Sequence, residues 1–405
     1  MNRVSLLAAA SSFTLILAAS GCTNVDIDEQ VSAQSYPTIR VATFNVSMDG
    51  SNYDQNFTSL ESSPLPLLLA QGEHPQIHNI ATIIQQVRPD VILLNEFDYT
   101  ENWRENVALF QRNYLGVAHG DLQPIEYTYS YSAPVNTGVP SEFDFDGDGK
   151  KTAKAGDAYG FGFYPGQYGM VLLSRYKIDE ASVRSFMHLK WHTQQGSKMP
   201  MLDGQPFYDQ QTWQAARLSS KSFWDIPIDV NGNKVHVLAS HPTPPVFDGP
   251  EDRNGLRNFA EIKLLADYIS AQSPAYVIDD KGQQGGIEQN SRFIIVGDLN
   301  AAPQGEKARP EAINQVLHHE AVNASLIPAS KGAAHSEDTS YAKYYTASWR
   351  ARADYVLPSK AGLLPVAGGV YWPHDNEAGY QLVSDRKLSS DHRLVWMDLK
   401  ILKID

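Results

Sequence analysis

The chain has 405 residues, a formal net charge of −13, 42% hydrophobic residues, 20% charged residues and a single cysteine. This composition is typical of a globular protein with a large buried core and excludes a chain that is disordered throughout. The acidic balance disfavours tight non-specific binding of duplex nucleic acid, which depends on cationic contacts to phosphates, although a local basic groove stays open as an alternative. One cysteine excludes a disulfide within the monomer.

The N-terminus carries the pattern of a bacterial secretory signal. Arg3 precedes an apolar run over residues 4–19, and two small residues then lead to Cys22. The run is too short and too weakly flanked for a transmembrane helix. Its ending resembles a lipobox in which Cys22 is acylated, although Ala19 departs from the usual leucine. The pattern predicts an extracytoplasmic, membrane-anchored bacterial lipoprotein; the alternative is a plain signal peptide with a coincidental cysteine.

The predicted organisation is a signal peptide of the lipoprotein type at residues 1–21, a polar tether at 22–37 and a folded domain at 38–405. The length admits two domains, but α/β enzymes with loop insertions also reach this size around one core. Between about residues 100 and 168, aromatic residues, glycines and prolines dominate. This stretch predicts a loop insertion over the core with one short helix.

The first predicted elements of the domain end in polar residues. Residues 39–44 alternate like a strand and end at Asn45. Apolar residues at helical spacing predict a helix over residues 74–87. Residues 91–94 form a continuous apolar run that leads into Glu96, which is typical of a buried strand ending at a polar rim.

The middle of the chain repeats this arrangement. Residues 169–174 have strand character, and residues 223–230 and 234–240 predict a hairpin around Asn231-Gly232, a two-residue turn signal. The second strand of this hairpin leads directly into His241. This predicted strand is therefore followed by a histidine, whereas the first two predicted strands are followed by Asn45 and by Glu96.

The last third of the chain supplies the remaining core elements. A helix is predicted over residues 254–271, and the β-branched run at 294–296 leads into Asp298. Two further strands are predicted at 353–357 and 393–397. Because carboxylates are hard metal ligands and histidine exchanges a proton near neutral pH, polar groups at these strand ends indicate metal-assisted phosphoester hydrolysis.

Taken together, these motifs resemble the endonuclease/exonuclease/phosphatase superfamily, which has the DNase I-like fold. The resemblance extends over about residues 38–403 and implies a four-layer α/β sandwich, with two mixed β-sheets packed face to face and flanked by helices. It is carried by five separated motifs in the family's order: Phe44-Asn45, Asn95-Glu96, His241, Gly297-Asp298-Leu299-Asn300, and Ser390-Asp391-His392 preceded by Asp354-Tyr355-Val356.

The resemblance assigns metal and phosphate ligands. Glu96 matches the metal-binding glutamate, and a carboxylate at a strand end is an oxygen ligand of the kind that Mg²⁺ prefers. Asn45 matches an asparagine that helps hold the metal or the phosphate, and Asp391 matches a further metal or water ligand. The alternatives are a solvated loop glutamate for Glu96 and a turn residue at the strand exit for Asn45.

The resemblance also assigns the catalytic residues. Asp298 matches the residue that orients or deprotonates the attacking water, and Asn300 matches a donor that stabilises charge on the phosphoryl oxygens. His392 matches the catalytic histidine, with Asp354 as the acid that fixes its tautomer. His241 matches a second histidine that donates to the phosphate or the leaving group. Whether His392 acts as base, acid or electrostatic stabiliser is left open.

One position departs from the family pattern. Several members place an acidic residue two positions after the first asparagine, where this chain has Ser47; the nearest acid is Asp49. The departure disfavours a second metal site. A mechanism with one Mg²⁺ or Mn²⁺ ion is therefore expected.

A separate pattern lies within the predicted insertion. Asp144, Asp146 and Asp148, followed by a glycine, reproduce the first half of a calcium-binding loop. The twelfth position is Ala155 where such loops have glutamate, and Asp157 offers a substitute carboxylate. The pattern predicts a structural Ca²⁺, with a plain acidic turn as the alternative.

The expected function is extracytoplasmic, metal-dependent hydrolysis of a small or lipid-like phosphoester, either a monoester or a diester. Residues 240–255 resemble a bacterial exported subgroup of the superfamily, and Arg253 and Arg257 in this segment either hold a phosphate or form salt bridges. One alternative is a secreted non-specific nuclease on the same fold, and another is a non-catalytic binding lipoprotein. The expected partners are the phosphoester substrate and, through acylated Cys22, a membrane; the expected state is a monomer.

Overall fold

The computed structural model describes residues 36–305, 309–336 and 339–404. The predicted signal peptide, Cys22 and most of the tether lie outside the described residues. Within the described ranges, no helix is long and apolar enough to cross a membrane.

The regular elements follow one another along the whole described chain. The strands are β1 Thr38–Met48, β2 Val91–Phe97, β3 Tyr129–Tyr131, β4 Met170–Ser174, β5 Lys177–Ile178, β6 Arg184–Ser185, β7 Met201–Leu202, β8 Gln205–Pro206, β9 Phe223–Val230, β10 Asn233–Ser240, β11 Phe293–Asp298, β12 Asp354–Pro358, β13 Leu363–Val370 and β14 Val395–Ile401. The helices are α1 Gly50–Tyr53, α2 Leu65–Gln71, α3 Pro75–Val87, α4 Trp103–Phe110, α5 Gln210–Ala215, α6 Arg253–Ile269, α7 Pro310–Leu317 and α8 Lys331–Ser336.

Two large mixed sheets form the centre of the fold. The first has the strand order β13-β14-β1-β2-β4-β3, in which β1 and β2 are parallel. The second has the order β12-β11-β10-β9-β5, with β10 and β11 parallel and β6 paired to β9. The remaining neighbours in both sheets are antiparallel. The expected fold class, an α/β sandwich of two mixed sheets flanked by helices, is confirmed.

Alternating side chains on the strands build three apolar layers. Val41 of β1 and Ile294 of β11 belong to the core between the two sheets. Phe44 of β1 faces the opposite way, into the layer under α3, and Ile295 of β11 belongs to the layer shared with α6. The central strands are uninterrupted apolar runs because both faces of each sheet are covered.

The predicted helices and the hairpin are confirmed. The helix expected at 74–87 is α3, whose first residue is Pro75, and the helix expected at 254–271 is α6. The hairpin of β9 and β10 turns at Asn231 and Gly232, which have φ angles of 54° and 83°. Two successive positive φ values are the geometry of the type I′ turn that an Asn-Gly pair favours.

Several strand boundaries differ from the prediction. β1 continues past Asn45 to Met48, and β2 continues through Glu96 to Phe97. The last strand, expected at 393–397, begins two residues later at Val395 and continues to Ile401. Strand β13 was not predicted, because it lies at a sheet edge, contains a proline and two glycines, and is largely half-exposed.

The core between the sheets should govern the stability of the fold. Ile294 is fully buried there, so Ile294→Ala leaves a cavity and should lower the free energy of unfolding by about 2–5 kcal/mol. Leu364→Ala on the edge strand is the matched control, because Leu364 is 44% exposed, and its effect should stay within about 0.5 kcal/mol. Urea unfolding followed by circular dichroism measures both. Equal effects of the two substitutions would contradict this placement of the core.

Candidate active site and metal centre

The polar strand ends meet at one edge of the two sheets. Asn45 and Glu96 lie towards the ends of the parallel strands β1 and β2, and Asp298 is the last residue of β11. Asp354 begins β12, which runs antiparallel to β11 and pairs Asp354 with Asp298. His392 precedes β14, the antiparallel neighbour of β1. Chain direction therefore brings residues from both sheets to the same edge.

Asp298 lies at the centre of this cluster and is almost completely buried. Its Oδ2 atom is 3.4 Å from Nε2 of His241 and 3.4 Å from Nε2 of His392, and it accepts a hydrogen bond from Nδ2 of Asn45 at 3.2 Å. The backbone N–H of Asp298 donates to Oδ1 of Asn95 at 3.3 Å. Burial raises the pKa of Asp298 to about 6, with the charge of His392 acting in the opposite direction. The carboxyl group can therefore exchange a proton near neutral pH.

His392 and Asp354 form a buried pair. Nδ1 of His392 lies 2.9 Å from Oδ2 of Asp354, which also accepts a hydrogen bond from the hydroxyl of Thr346 at 2.6 Å. Burial alone would lower the pKa of His392, but the carboxylates of Asp354 and Asp298 outweigh it and raise this pKa to about 10. The ring also meets Trp349 edge to face at 4.6 Å between centroids. His392 is thus oriented as an imidazolium aimed at Asp298.

His241 and Asn300 complete the centre in different ways. Burial, together with the charges of Lys221 and His392, holds the pKa of His241 well below its ordinary value, so its ring is neutral. The backbone N–H of Asn300 donates to Oδ1 of Asp298 at 3.0 Å, while its side-chain amide donates to the carbonyl of Pro242 at 3.2 Å. Asn300 therefore lies at the predicted place, with its amide held by the loop that follows His241.

Glu96 lies beside this centre in an unusual backbone conformation. Its φ of 58° falls in the left-handed region, opposite a register shift between β1 and β2. Such a bulge redirects a side chain, and left-handed non-glycine residues concentrate at functional sites. Burial and the neighbouring carboxylates of Asp49 and Asp391 raise the pKa of Glu96 to about 8. A divalent cation would compensate such a group of crowded carboxylates.

The other two predicted metal ligands are engaged with protein groups. Oδ1 of Asn45 accepts the backbone N–H of Ser47 at 3.1 Å. One oxygen of Asp391 accepts from the hydroxyl of Ser47 at 3.2 Å, and the other is 3.2 Å from the exposed Arg386. Glu96 interacts with the side chain of Asn45 and forms no ion pair within the described residues.

The described residues contain a tighter group of ligand-type atoms than the one around Glu96. Atoms of Asp298, Asp354 and His392 lie within 4.8 Å of one another, and all three residues are buried. Nδ1 of His392 is already bonded to Asp354, and its cationic ring would repel a metal ion. The geometry of this trio fits proton handling, and the Glu96 side of the cluster stays the predicted metal site.

Sequence reasoning missed the roles of two charged residues near the centre. Asp49 is buried and accepts hydrogen bonds from the backbone of Ser51 at 2.8 Å and the amide of Asn52 at 2.9 Å. It brings a carboxylate towards Glu96 although Ser47 occupies the position that is acidic in several family members. The short helix that places Asp49 follows an irregular stretch of β1, which no local pattern predicts.

Lys221 is the second missed residue. It precedes β9, is only 5% exposed, and faces the cavity beside Glu96. Within the described chain its ammonium makes no direct hydrogen bond or ion pair; burial lowers its pKa, and the charges of Glu261, Glu96 and Asp298 oppose that shift. The only sequence signal for Lys221 is a lysine among three serines before an apolar strand, and this pattern does not distinguish a buried lysine from a solvent-exposed one.

The acidic loop of the insertion departs from the predicted ligand set. Carboxylate oxygens of Asp144, Asp146 and Asp157 lie within 4.8 Å of one another. Asp148 lies outside this trio and pairs with Lys150 at 3.2 Å. Ca²⁺ binding stays a prediction. In the structure, the third carboxylate that could bind the ion belongs to Asp157, whereas the sequence pattern predicted Asp148.

The two arginines after His241 do not contact the centre. Arg257 donates to the carbonyls of Tyr159, Arg217, Leu218 and Ser219. Arg253 pairs with Glu251. The salt-bridge interpretation fits Arg253, whereas Arg257 bonds to backbone carbonyls. Both residues also line the cavity beside Glu96, so phosphate binding by either one stays a prediction.

The charge of His392 should depend on Asp354. Asp354→Asn removes the nearest carboxylate and its hydrogen bond, so the pKa of His392 should fall from about 10 towards its ordinary value of 6.5. At pH 8 the ring should therefore be less protonated in the variant than in the wild type. The ¹⁵N chemical shifts of the imidazole, followed against pH, measure this. Asp375→Asn, beside the half-exposed His374, is the control and should leave His392 unchanged; identical titration of His392 in all three proteins would refute the coupling.

An endonuclease/exonuclease/phosphatase protein from Beutenbergia cavernae is similar in structure with a TM-score of 0.48, 16% identity, and coverage of 91% of this chain and 72% of that chain. The beta toxin of Staphylococcus aureus, solved with bound magnesium ions, has a TM-score of 0.46 and 15% identity, with coverage of 91% of this chain and 100% of that chain. The human Nocturnin catalytic domain, solved with sulfate, has a TM-score of 0.41 and 13% identity, with coverage of 91% of this chain and 96% of that chain.

No curated protein matches the sequence significantly. Residues 42–392, by contrast, match the family described as Endonuclease/Exonuclease/phosphatase family. This match includes every strand-end motif from Asn45 to His392 and extends over most of the chain. The chain therefore belongs to the endonuclease/exonuclease/phosphatase family, whose members are metal-dependent hydrolases of phosphoesters.

Proposed function

We propose that this protein is an extracytoplasmic phosphoester hydrolase that uses Mg²⁺ or Mn²⁺ and acts on small or lipid-like phosphoesters. The observation that carries the proposal is the arrangement around Asp298, whose Oδ2 lies 3.4 Å from a ring nitrogen of both His241 and His392. A buried carboxylate between a neutral and a cationic imidazole has the parts required to hold a water and accept its proton.

Each side chain around Asp298 has a separate role in the proposed hydrolysis. Asp298 orients the attacking water and takes its proton, and its geometry is fixed by the amide of Asn45. The imidazolium of His392 stabilises negative charge that develops on the phosphoryl oxygens. Lys221 adds a second positive charge on the cavity side, and the amide of Asn300 turns from the carbonyl of Pro242 to the phosphate when substrate binds.

The metal fits the Glu96 side of the site. Glu96 and Asp391 would bind the ion, with Asn45 linking it to Asp298, as the family pattern indicates. The crowding of carboxylates that raises the pKa of Glu96 is the observation that supports a cation there. When bound, the ion polarises a phosphoryl oxygen and neutralises its charge.

Substitution of the metal-binding carboxylate tests the function. Glu96→Gln should reduce kcat/KM for phosphoester hydrolysis at least about 100-fold, because a neutral amide binds a divalent ion weakly. Glu101→Gln is the matched control, since Glu101 is an exposed carboxylate five residues away, and it should keep the wild-type rate. The assay uses a phosphomonoester, a phosphodiester and a phospholipid, each with Mg²⁺ and with chelator.

Full activity in chelator, or equal rates for the two glutamate variants, would contradict the metal assignment. Absence of hydrolysis by the wild-type protein on every substrate would favour the alternative of a binding lipoprotein. The buried His392–Asp354 pair speaks against that alternative, because a binding role does not require an oriented imidazolium beside a carboxylate that exchanges a proton.

A salt titration separates the preferred function from a nuclease on the same fold. The net charge of −13 supports a small substrate, because long-range repulsion opposes a polyanion. Hydrolysis of a small phosphoester should change less than about threefold in kcat/KM between 50 and 200 mM salt. A nuclease that neutralises several phosphates would lose about 10³-fold or more in DNA affinity over that range. Efficient DNA cleavage with this steep dependence would favour the nuclease.

We propose, further, that Cys22 is acylated and anchors a monomeric enzyme to a membrane outside the cytoplasm. The single cysteine after an apolar run supports this. Cys22→Ser should move the protein from the membrane pellet to the soluble fraction, as seen by fractionation and immunoblotting, while metabolic labelling with a fatty acid should be lost. Ser20→Ala, two residues away, is the control and should remain membrane-bound. Labelling of the Cys22→Ser protein would refute acylation at this residue.

A further inference from the structure

A cavity of about 490 Å³ opens beside Glu96 and Lys221. Its walls come from three parts of the chain: residues 137–168 of the insertion, residues 191–221, and the segment 243–257 that follows His241. Cavities of this size hold small organic ligands. Glu96 is part of the cavity lining. A substrate whose phosphate lies at the proposed metal centre would therefore place its organic part in the cavity.

Aromatic rings form most of the apolar wall. Tyr159, Tyr168 and Tyr208 line the interior, and Phe161 and Phe247 lie at the rim. Phe161 is 54% exposed, and Phe247 is 88% exposed with a φ of 66°, a left-handed conformation that a bulky residue rarely adopts. Two exposed phenyl rings at the mouth of an aromatic cavity offer stacking surfaces to a planar ligand.

The cavity also contains cations that have few protein partners. Arg217 lies over Tyr159 with its guanidinium carbon 3.9 Å from the ring centroid, and its Nη1 donates to Oδ1 of Asn136 at 2.6 Å. Its Nε is buried and has no hydrogen-bond partner among the residues that the structure describes. Lys221, between this arginine and the centre, also lacks a direct partner in the described chain. An anion in the cavity would satisfy both donors.

The balance of charge in the lining decides which ligands fit. The acidic residues there are Glu96, which is assigned to the metal, and Asp146. The basic residues of the lining are Arg217, Lys221, Arg253 and Arg257, and of these Arg253 is paired with Glu251 and Arg257 with backbone carbonyls. Arg217 and Lys221 therefore leave a positive field, and the guanidinium of Arg217 occupies the face of Tyr159 on which a quaternary ammonium group would stack. The cavity therefore disfavours a choline-like group and favours an anionic one.

We propose that this cavity binds the organic part of the substrate, and that this part is a planar ring carrying a second anionic group besides the scissile phosphate. The ring stacks on Phe161 and Phe247 at the rim, and the second anion contacts Arg217. Nucleoside bisphosphates and aryl phosphates with a second acidic substituent share this chemistry. The inference rests on the proposed function for the position of the scissile phosphate.

Calorimetric binding to the purified protein in chelator tests the cavity without requiring turnover. The probes are methyl phosphate, phenyl phosphate, 4-carboxyphenyl phosphate, adenosine 5′-monophosphate, adenosine 3′,5′-bisphosphate and phosphocholine. Phenyl phosphate should bind about 10-fold tighter than methyl phosphate, because a stacked ring contributes that much. 4-Carboxyphenyl phosphate should bind at least about 10-fold tighter than phenyl phosphate, and adenosine 3′,5′-bisphosphate at least about 10-fold tighter than adenosine 5′-monophosphate. Phosphocholine should bind no better than methyl phosphate. The adenosine and aryl pairs distinguish the two sources of the ring.

Variants of the cavity provide the second half of the test. Phe161→Ser with Phe247→Ser alters exposed rings only, and it should reduce the affinity for ring probes about 10-fold without changing that for methyl phosphate. Arg217→Gln should abolish the preference for the second anion. Controls outside the cavity are Tyr129→Ser and Arg104→Gln, both at exposed positions. The controls should bind like the wild type.

Equal binding of ring-bearing and ring-free probes, tightest binding of phosphocholine, or cavity variants that behave like their controls would each overturn the inference. Hydrolysis with Mg²⁺ is then measured separately. Selective binding without hydrolysis of any probe would leave the cavity assignment intact and reject the proposed function. Hydrolysis without selectivity would reject the cavity assignment alone.

Discussion

The site depends on one buried carboxylate that both sheets hold. Asp298 belongs to the second sheet, but the amides of Asn45 and Asn95 that bond to its side chain and its backbone belong to the first. A buried carboxylate is costly unless it is paired and hydrogen-bonded. A sliding of one sheet over the other would break both amide contacts, so the packing that fills the core between the sheets also fixes the geometry around Asp298.

The chain pattern predicted this arrangement where a strand is buried on both faces. The run Ile294–Val296 is apolar on successive residues because Ile294 faces the other sheet and Ile295 faces α6, and the first polar side chain marks the point where the strand leaves the core. The same logic identified Asn45, Glu96 and His241. It failed where function comes from irregular segments: Thr346 and Trp349 reach the site through a loop whose Ala347 bridges to His392, a contact that exists only in the folded state.

No sequence pattern predicted the backbone conformation of the site. Ser47, Glu96 and Asn300 all have φ between 48° and 58°, and all three lie where strands β1, β2 and β11 approach the site. Left-handed residues other than glycine are strained and persist only where surrounding contacts hold them. Here the bulge between β1 and β2 turns Glu96 away from the regular pleat, so it lines the cavity beside Lys221 instead of joining a layer of the core. The departure at Ser47 belongs to the same bulge: Asp49, two residues later, brings its carboxylate towards Glu96.

Net charge and local charge act at different distances, and the contrast bears on which ligands reach the site. The overall charge of −13 repels an extended polyanion within about one Debye length of the protein surface, whereas the positive groups of Lys221 and Arg217 act only within a narrow cavity. A low-dielectric wall of aromatic rings strengthens these cations for whatever enters. A small anion can place all of its charge among them, but most of the charge of a long polymer would remain outside, against the acidic surface. Residues 137–168, within the predicted insertion, form much of the cavity wall that favours a small anion over a long polymer.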